Sequence, residues 1–169
     1  MSSKSKAKGT KYETALVNAF NDWVGEQVCE RIVLYGNKDH GDIRLDVDDM
    51  TICVEAKWRK SPVTPAELQD FKQQTVTETH NSNSDGGLLV VNKFRSGVMS
   101  SSVYMTKGTY LKLQGADALL DSDEISERLS RYVERMLSEE GEHDWVCMSL
   151  LDVCWTCFGA PAWGMEELN

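Results

Sequence analysis

Residues 41–57 read GDIRLDVDDMTICVEAK, and apolar and polar residues alternate along both halves of this stretch. A period of two is typical of half-buried β-strands. The residues between the two halves, Asp48, Asp49 and Met50, favour a turn. The stretch therefore predicts an antiparallel hairpin with these apolar positions on one face: Ile43, Leu45, Val47, Ile52, Val54 and Ala56.

The register of this hairpin can be tested by parity, because a slip of one residue would turn a whole face over. A register with Val47 opposite Ile52 puts every apolar side chain on one face and every charge on the other. Asp42 and Glu55 are then diagonal neighbours, with Cα atoms roughly 7–8 Å apart. The remaining predicted pairs are Leu45–Val54, Ile43–Ala56, Arg44–Glu55 and Asp42–Lys57.

Two carboxylates at this spacing predict a site for one divalent cation, with the ammonium group of Lys57 beside it. Mg²⁺ is often held by one or two carboxylates and keeps positions for water and phosphate oxygens. Such a cation activates water and offsets charge that develops on phosphorus, and a lysine adds fixed positive charge. The pattern equally allows a hairpin whose charged face is simply solvated, with Arg44–Glu55 and Asp42–Lys57 as structural ion pairs.

The Asp at a strand start and the Glu-x-Lys on the next strand resemble the signature of the PD-(D/E)xK nucleases. Here the matching residues are Asp42 and Glu55-Ala56-Lys57, and His40-Gly41 stands where the signature has its proline. The chain further resembles the small archaeal-type Holliday junction resolvases, and most of all the compact resolvase-like proteins of actinobacteria and their phages. The segments that carry this resemblance are KGTKYETA at 8–15, GDI at 41–43, VEAK at 54–57, LLVVNK at 88–93 and VYMT at 103–106.

The resemblance implies an α/β fold with a restriction-endonuclease-like core, a central mixed β-sheet flanked by helices in the order α-β-β-β-α-β-β. It implies a Mg²⁺-dependent endodeoxyribonuclease, with Mn²⁺ as a substitute metal. The catalytic residues that it implies are Glu13, Asp42, Glu55 and Lys57. The metal ligands that it implies are Asp42, Glu55 and the backbone carbonyl of Ala56, with Glu13 as a further candidate.

The implied reaction is the resolution of branched DNA during recombination. Resolution needs two symmetric cuts, so the resemblance also implies a homodimer. Two other functions stay open on the sequence: an Mrr-like restriction nuclease acting on duplex DNA, and a non-catalytic relative that binds DNA or protein.

The net charge of the 169-residue chain is −9, but the charge is unevenly distributed. Residues 1–112 hold 15 Lys and Arg against 14 Asp and Glu, whereas residues 113–169 hold 3 against 13. The nuclease-like part is therefore balanced, and the acidic total does not exclude DNA as a partner. Five cysteines and the lack of a secretory or membrane-spanning pattern predict a cytoplasmic protein with free thiols, and the resemblance implies a phage or bacterial context.

Three regions are expected along the chain: a flexible basic arm at 1–8, a nuclease core at 9–114, and an acidic extension at 115–169. A Thr10-x-x-Glu13 capping box predicts that the first helix begins at Thr10. Its apolar face is Tyr12, Leu16, Ala19, Phe20 and Trp23. Glu13 has two interpretations, a helix cap and a residue that completes the metal site or orients its water.

A strand is predicted at 31–35, where Arg31 could contact phosphate or, more simply, form an ion pair at the strand edge. Thr64, Pro65 and Glu67 predict the start of a second helix that ends near Thr79. The apolar run at 88–92 predicts a strand buried on both faces and paired in parallel, and a last strand at 103–105 leads to a helix capped by Thr106. The predicted DNA-binding residues are Lys8, Lys11, Arg59, Lys60, Lys93 and Arg95; His40 is a further candidate for substrate contact.

The acidic extension is expected to pack on the core or at a dimer interface. An amphipathic helix is predicted to begin at Asp123, and the apolar run at 145–158 predicts a strand. His143, Cys147, Cys154 and Cys157 have spacing compatible with structural zinc. Because these cysteines alternate with apolar residues, buried free thiols are the stronger interpretation.

Overall fold

The computed structural model describes residues 3–32, 40–114 and 145–163. Four α-helices and six β-strands are present in this part of the chain. A short 3₁₀-helix at Val98–Ser100 lies between the fourth and fifth strands. In chain order the elements are α1 Ser3–Val24, β1 Cys29–Arg31, β2 Ile43–Val47, β3 Met50–Lys57, α2 Pro65–Asn81, β4 Gly86–Val91, β5 Ser102–Thr106, α3 Lys107–Leu113, β6 Trp145–Ser149 and α4 Leu150–Phe158.

The six strands form one mixed sheet in the order β1-β2-β3-β4-β5-β6. Only the β3–β4 pair is parallel, and α2 is the crossover that connects these two strands. The other four pairs are antiparallel. The predicted α/β class and the core order α-β-β-β-α-β-β are confirmed.

The predicted hairpin is present, but its register is wrong by two residues. Leu45 lies opposite Ile52 and Val47 opposite Met50, because the turn contains only Asp48 and Asp49 and Met50 belongs to β3. Asp48 has φ +49°, a conformation that Asp tolerates in tight turns. A shift of two residues preserves parity, so the predicted division into an apolar and a charged face holds.

One face of the sheet carries the main core. Ile52 and Val54 of β3 point to this face, and helices α1, α3 and α4 pack against it. Leu16 and Phe20 of α1 are fully buried, and the ring of Phe20 meets the edge of Phe158 in α4. The same face continues across the sheet with Ile43, Leu45, Val47, Leu88, Val90, Val103, Met105, Val146 and Met148.

The first helix begins earlier than the sequence predicts. It starts at Ser3, so residues 3–8 are helical instead of forming a flexible arm, and Thr10 lies inside the helix. The carbonyl of Thr10 accepts a 2.9 Å bond from the Thr14 hydroxyl one turn later. The predicted capping box is therefore wrong, and the role of Glu13 must come from another contact.

The second helix, α2, covers the opposite face of the sheet above β3 and β4 and begins where the sequence predicts. Thr64 caps it, with a reciprocal capping box to Glu67 and Pro65 at the first helical position. A side chain at Gly87 of β4 would clash with the Thr79 side chain, so the absence of a side chain there lets α2 approach the sheet closely. β4 is buried at every residue, as predicted for a strand covered on both faces.

The predicted strand at 145–158 is wrong in its second half. β6 ends at Ser149, whose side chain forms a capping box with Asp152 and starts α4. Short apolar runs cannot be assigned to strand or buried helix by periodicity alone, and the cap decides here. Strand β1 begins at Cys29, two residues earlier than predicted. Residues 33–35 of the predicted first strand and the helix predicted from Asp123 lie outside the described residues.

None of the helices in the described part of the chain has the length and apolar character needed to cross a membrane.

Candidate active site

The carboxyl groups of Asp42 and Glu55 come together where β2 begins and β3 ends. Oδ2 of Asp42 accepts a 2.9 Å hydrogen bond from the backbone amide of Ala56. Glu55 is the residue just before this amide and is only 3% exposed. Its Oε1 accepts a hydrogen bond from the ammonium group of Lys57, the next residue on the same face of β3.

The electrostatics of this cluster favour the neutral acids when no cation is present. Burial is the largest cause that raises the pKa of Asp42 to about 7; the nearby charges of Glu55 and Glu13 act in the same direction, and the Ala56 amide and Lys57 oppose them. Burial also raises the pKa of Glu55 to about 7, helped by Glu78 and opposed by Lys57. The charged forms of these two acids repel each other, so a cation bound between them would stabilise both carboxylates.

Neither of the structural ion pairs that the hairpin pattern allowed is formed. Arg44 lies opposite Cys53 and pairs with Asp46, two residues along its own strand, with Nε 3.0 Å from Oδ1. Lys57 pairs with Glu55 instead of Asp42. Among the described residues, the lysine that pairs with an acid at this end of the hairpin is therefore Lys57.

Glu13 reaches this region from α1. Its Oε2 accepts hydrogen bonds from Arg31 of β1, at 3.0 Å from Nε and 2.6 Å from Nη2. The predicted ion pair of Arg31 at the strand edge is thereby confirmed, with Glu13 as its partner. Because the charge of Glu13 also raises the pKa of Asp42, Glu13 lies within electrostatic reach of the two-carboxylate cluster.

The glycine that replaces the proline of the nuclease signature has a conformation that proline cannot adopt. Gly41 has φ +85°, whereas the ring of proline holds φ near −65°. A Cβ at this position would also lie 2.6 Å from the sulfur of Cys53. The departure from the signature thus reflects the backbone turn that places Asp42 above Ala56.

Glu78 of α2, which was missed in the sequence, lies in this cluster together with Gln74. Glu78 is 1% exposed, and its carboxyl group lies close enough to that of Glu55 to raise the pKa of Glu55. Gln74 donates a 2.7 Å bond to Oε1 of Glu78. A signal was available, since position 78 continues the buried stripe of α2 through Phe71 and Thr75, where a charged residue is unexpected.

Two of the basic residues predicted to bind DNA, Arg59 and Lys8, lie against aromatic rings near the carboxyl end of β3. The guanidinium group of Arg59 stacks on the ring of Phe71, 4.6 Å from its centroid, and Lys57 lies 5.3 Å from the same ring. Lys8 of α1 lies 4.8 Å from the ring of Trp58. The other residues predicted to bind DNA are exposed: Lys11, Lys60, Lys93 and Arg95.

Asn92, which directly follows β4, holds the chain at Arg59. Its side-chain oxygen accepts a bond from the Arg59 amide, and its Nδ2 donates a 2.9 Å bond to the Arg59 carbonyl. This clamp acts like one further residue pair of the parallel β3–β4 ladder. Arg59 is therefore held at its backbone by Asn92 and at its guanidinium group by Phe71.

The zinc alternative gains no support from the described residues, among which no group of three or more His, Cys, Asp and Glu could hold a metal ion. Cys154 is buried in the core between α1 and the sheet, and burial raises its thiol pKa. Cys147 lies between Val146 and Met148 on β6, and those two neighbours face that core. Cys147 therefore points to the other face of the sheet. His143 lies outside the described residues.

Residues 4–145, well over half of the chain, match the family described as "Phage putative PDDEXK endonuclease". The chain belongs to this family. Its members are nucleases, hydrolases of DNA that generally use divalent metal ions. The acids and the lysine in the family name match Asp42, Glu55 and Lys57 of the sequence, and this assignment stays a prediction.

Among solved structures, the chain is similar to Hjc of Archaeoglobus fulgidus, a Holliday junction resolvase from an archaeal hyperthermophile. The two are 17% identical, with a TM-score of 0.39, and the match covers 57% of this chain and 70% of Hjc. No curated protein matches the chain.

Proposed function

We propose that this nuclease is a Mg²⁺-dependent endonuclease that resolves branched DNA of the Holliday junction type during phage recombination. The observation that carries the proposal is the meeting of the half-buried Asp42 and the buried Glu55 beside the ammonium group of Lys57. A buried acid pair with one lysine is unfavourable for folding alone. It is suited to holding a cation against the phosphate backbone of DNA.

The donor set fits a hard divalent cation. Asp42 and Glu55 supply carboxylate oxygens, the Ala56 carbonyl is a third candidate ligand, and Glu13 is a fourth. Mg²⁺ commonly accepts so few protein ligands and fills its other positions with water and phosphate oxygens. When bound, the cation supplies a more acidic water and offsets negative charge on the phosphate.

The side chains of the cluster have separate roles in the proposed hydrolysis. Lys57 positions or polarises the attacking water, and its charge stabilises the negative charge that builds up on the phosphate oxygens. Glu13, held by Arg31, completes the cluster or orients that water. Water adds to phosphorus, one phosphorus–oxygen bond of the backbone breaks, and a proton is transferred to the departing oxygen.

Arg59 and Lys60 are proposed to contact backbone phosphates beside the scissile bond, with Lys8, Lys11, Lys93 and Arg95 as more distant contacts. Such contacts position the duplex without reading its sequence. The preference for a junction is supported by the sequence resemblance to archaeal-type resolvases over residues 8–114. Since a junction requires two symmetric cuts, we propose that the active form is a homodimer.

The test is cleavage of an end-labelled four-way junction and a matched linear duplex, each with Mg²⁺, Mn²⁺ or EDTA. Paired symmetric nicks in the junction alone, with a dimeric mass by light scattering, are the expected result. Equal cutting of the duplex would replace the proposal with a restriction-type nuclease. Tight binding of the junction without cutting in either metal would point to a non-catalytic DNA-binding protein.

A further inference from the structure

A buried acid on α2 has no part in the proposed chemistry. Glu78 is 1% exposed and lies on the face of α2 that packs against the sheet. A side chain that only filled this space would be better as an apolar residue, since an acid loses its hydration on burial. The position therefore suggests a role that depends on the carboxyl group itself.

The contacts of Glu78 form a chain from the helix to the candidate metal ligand. Gln74, one helical turn earlier, donates to Oε1 of Glu78 at 2.7 Å. The carboxyl group of Glu78 lies within hydrogen-bonding reach of the Glu55 carboxyl group and raises the pKa of Glu55. Lys57 contacts Glu55 from the other side. The Glu55 carboxyl is thus held from its own strand by Lys57 and from the helix by Glu78.

The surroundings of Glu78 limit its movement. Its Oε2 would lie 3.9 Å from a Cβ atom on Gly41, the residue that precedes Asp42, and its charge acts on the neighbouring Cys53. Glu78 is consequently packed between the start of β2 and the end of β3. A group fixed in this way can fix the carboxyl group that it hydrogen-bonds.

We propose that Glu78, held by Gln74, is a positioning residue that fixes the Glu55 carboxyl group and thereby sets the affinity of the site for divalent cations. Hydrogen-bond partners of ligating carboxylates orient them for the metal, and losing such a partner typically weakens metal binding about 10- to 100-fold. This inference rests on the proposed function, because that function makes Glu55 a metal ligand. It adds α2 to the elements that build the site.

The experiment compares Glu78→Leu, which fills the space without a hydrogen bond, with Glu78→Gln, which retains one. Mn²⁺ and Mg²⁺ affinities are measured by titration calorimetry without DNA, and thermal unfolding is measured without cation. We expect Glu78→Leu to lower cation affinity at least about 10-fold while remaining as stable as the parent protein or more so. Glu78→Gln should stay within about threefold of the parent in affinity, because its amide still donates to Glu55.

Gln74→Leu tests the link between the two helix residues. It should weaken cation binding less than Glu78→Leu, and the double variant should be no weaker than Glu78→Leu alone, since Gln74 acts only through Glu78. Thr77→Ala, an exposed position on the same helix, is the matched control and should leave the affinity unchanged.

The two proposals fail in different ways. If Glu55→Gln does not change cation affinity, the proposed metal site is wrong and the role of Glu78 falls with it. If Glu55→Gln weakens cation binding but Glu78→Leu does not, only the positioning role is overturned. Equal losses in Glu78→Leu and Glu78→Gln would also overturn it, because the retained hydrogen bond would then have no effect.

Discussion

The backbone amide of Ala56 donates a 2.9 Å hydrogen bond to Oδ2 of Asp42, joining the start of β2 to the end of β3. This bond lies where the turn at Gly41 brings the chain into the sheet. It fixes the Asp42 carboxyl group beside the residue that follows Glu55. The hairpin thereby brings together two acids that are 13 positions apart in the sequence.

Removing either charge should abolish cleavage without unfolding the protein. Asp42→Asn and Glu55→Gln each keep the size of the side chain but remove a carboxylate that is proposed to hold the cation. We expect the cleavage rate to fall at least about 100-fold, which is the effect typical of removing one electrostatic contact in an active site. The measurement is single-turnover cleavage of a four-way junction in Mg²⁺, with circular dichroism to verify folding.

Asp46→Asn is the matched control for these variants. Asp46 lies on the same hairpin and pairs with Arg44, but both side chains are 48% exposed and lie outside the acid pair. Its cleavage rate should remain within about twofold of the parent, as expected for an exposed ion pair. A comparable loss in Asp46→Asn would assign the effect to general disturbance of the hairpin.

The metal-free protein should lose stability as the pH rises from about 4.5 to 7.5. Burial raises the pKa values of Asp42 and Glu55 to about 7, so the folded state retains protons that the unfolded chain releases at lower pH. A folded state that binds more protons becomes less stable with rising pH. The contribution of this pair should fall by several kcal/mol over this range, measured by urea unfolding in EDTA.

The double variant Asp42→Asn/Glu55→Gln serves as the reference for this effect. Its free energy of unfolding should depend less on pH than that of the parent, and it should exceed the parent's at pH 7.5. Adding Mg²⁺ at pH 7.5 should stabilise the parent and leave the double variant unchanged, because only a folded site binds the ion. Identical pH profiles for the two proteins would contradict the assigned burial of the acids.

The parts of the fold that depend on local sequence signals could be predicted. The α2 cap uses Thr64, Pro65 and Glu67, which are neighbours in the chain, and the β4 strand is a continuous apolar run. The register of the hairpin failed because Met50 could extend either the turn or the strand. Alternation of side chains has a period of two, so it cannot distinguish registers that differ by two residues.

Contacts between distant segments could not be obtained from the pattern. Glu13 fits a capping box with Thr10, yet in the structure it pairs with Arg31, 18 residues away. Because the helix continues upstream to Ser3, Thr10 lies inside it and cannot cap it. The contact with Arg31 therefore determines where the Glu13 side chain lies, in place of the local capping signal. The proposed role of Glu78 likewise depends on its contact with Glu55, which lies on another element of the fold.

The two roles of Glu13 can be separated by comparing it with its partner. Glu13→Gln and Arg31→Met both break the ion pair, whose contribution to stability should be about 1 kcal/mol or less because it is partly exposed. Only Glu13→Gln removes a charge near Asp42. We therefore expect cleavage to fall about 10-fold more in Glu13→Gln than in Arg31→Met, on the scale of a group that assists proton transfer weakly.

Equal rates in these two variants would contradict a role of Glu13 in the site. They would leave the residue as the partner of Arg31 that fastens α1 to the edge strand. Urea unfolding of both variants verifies that any difference in cleavage rate does not come from a difference in stability.

Arg59 should contribute a phosphate contact to DNA binding. Its backbone is clamped by Asn92 and its guanidinium group lies on Phe71, so little conformational entropy is lost when it binds. Arg59→Ala should weaken binding of a labelled junction similarly for different sequences and reduce the slope of log affinity against log salt by about 1. Fluorescence anisotropy in EDTA at several salt concentrations measures both.

Lys112→Ala is the control for charge alone. Lys112 is exposed on α3 and donates a 2.8 Å bond to the carbonyl of Asp85, just before β4. Asp85 and Lys57 lie at opposite ends of the β3–β4 pair. Lys112→Ala should leave the salt slope unchanged, and an equal reduction in both variants would indicate non-specific attraction in place of a phosphate contact at Arg59.

Gly41→Ala should damage both the fold and the placement of Asp42. Alanine would be unfavourable here for two independent reasons. Its backbone would have to keep the positive φ of +85°, and its Cβ would lie 2.6 Å from the sulfur of Cys53. The strained backbone alone costs about 1 to 2 kcal/mol, and the overlap adds to it. We expect a lower free energy of unfolding by urea denaturation and a large loss of junction cleavage.

The second cost can be removed while the first remains. In Cys53→Ala/Gly41→Ala the sulfur is absent, so the double variant should recover part of the stability lost relative to Cys53→Ala alone, but not all of it, since the backbone strain persists. Cleavage should recover only as far as Asp42 regains its bond to the Ala56 amide. If Gly41→Ala alone is as stable and active as the parent, the backbone turn is not what places Asp42, and the glycine has no special role there.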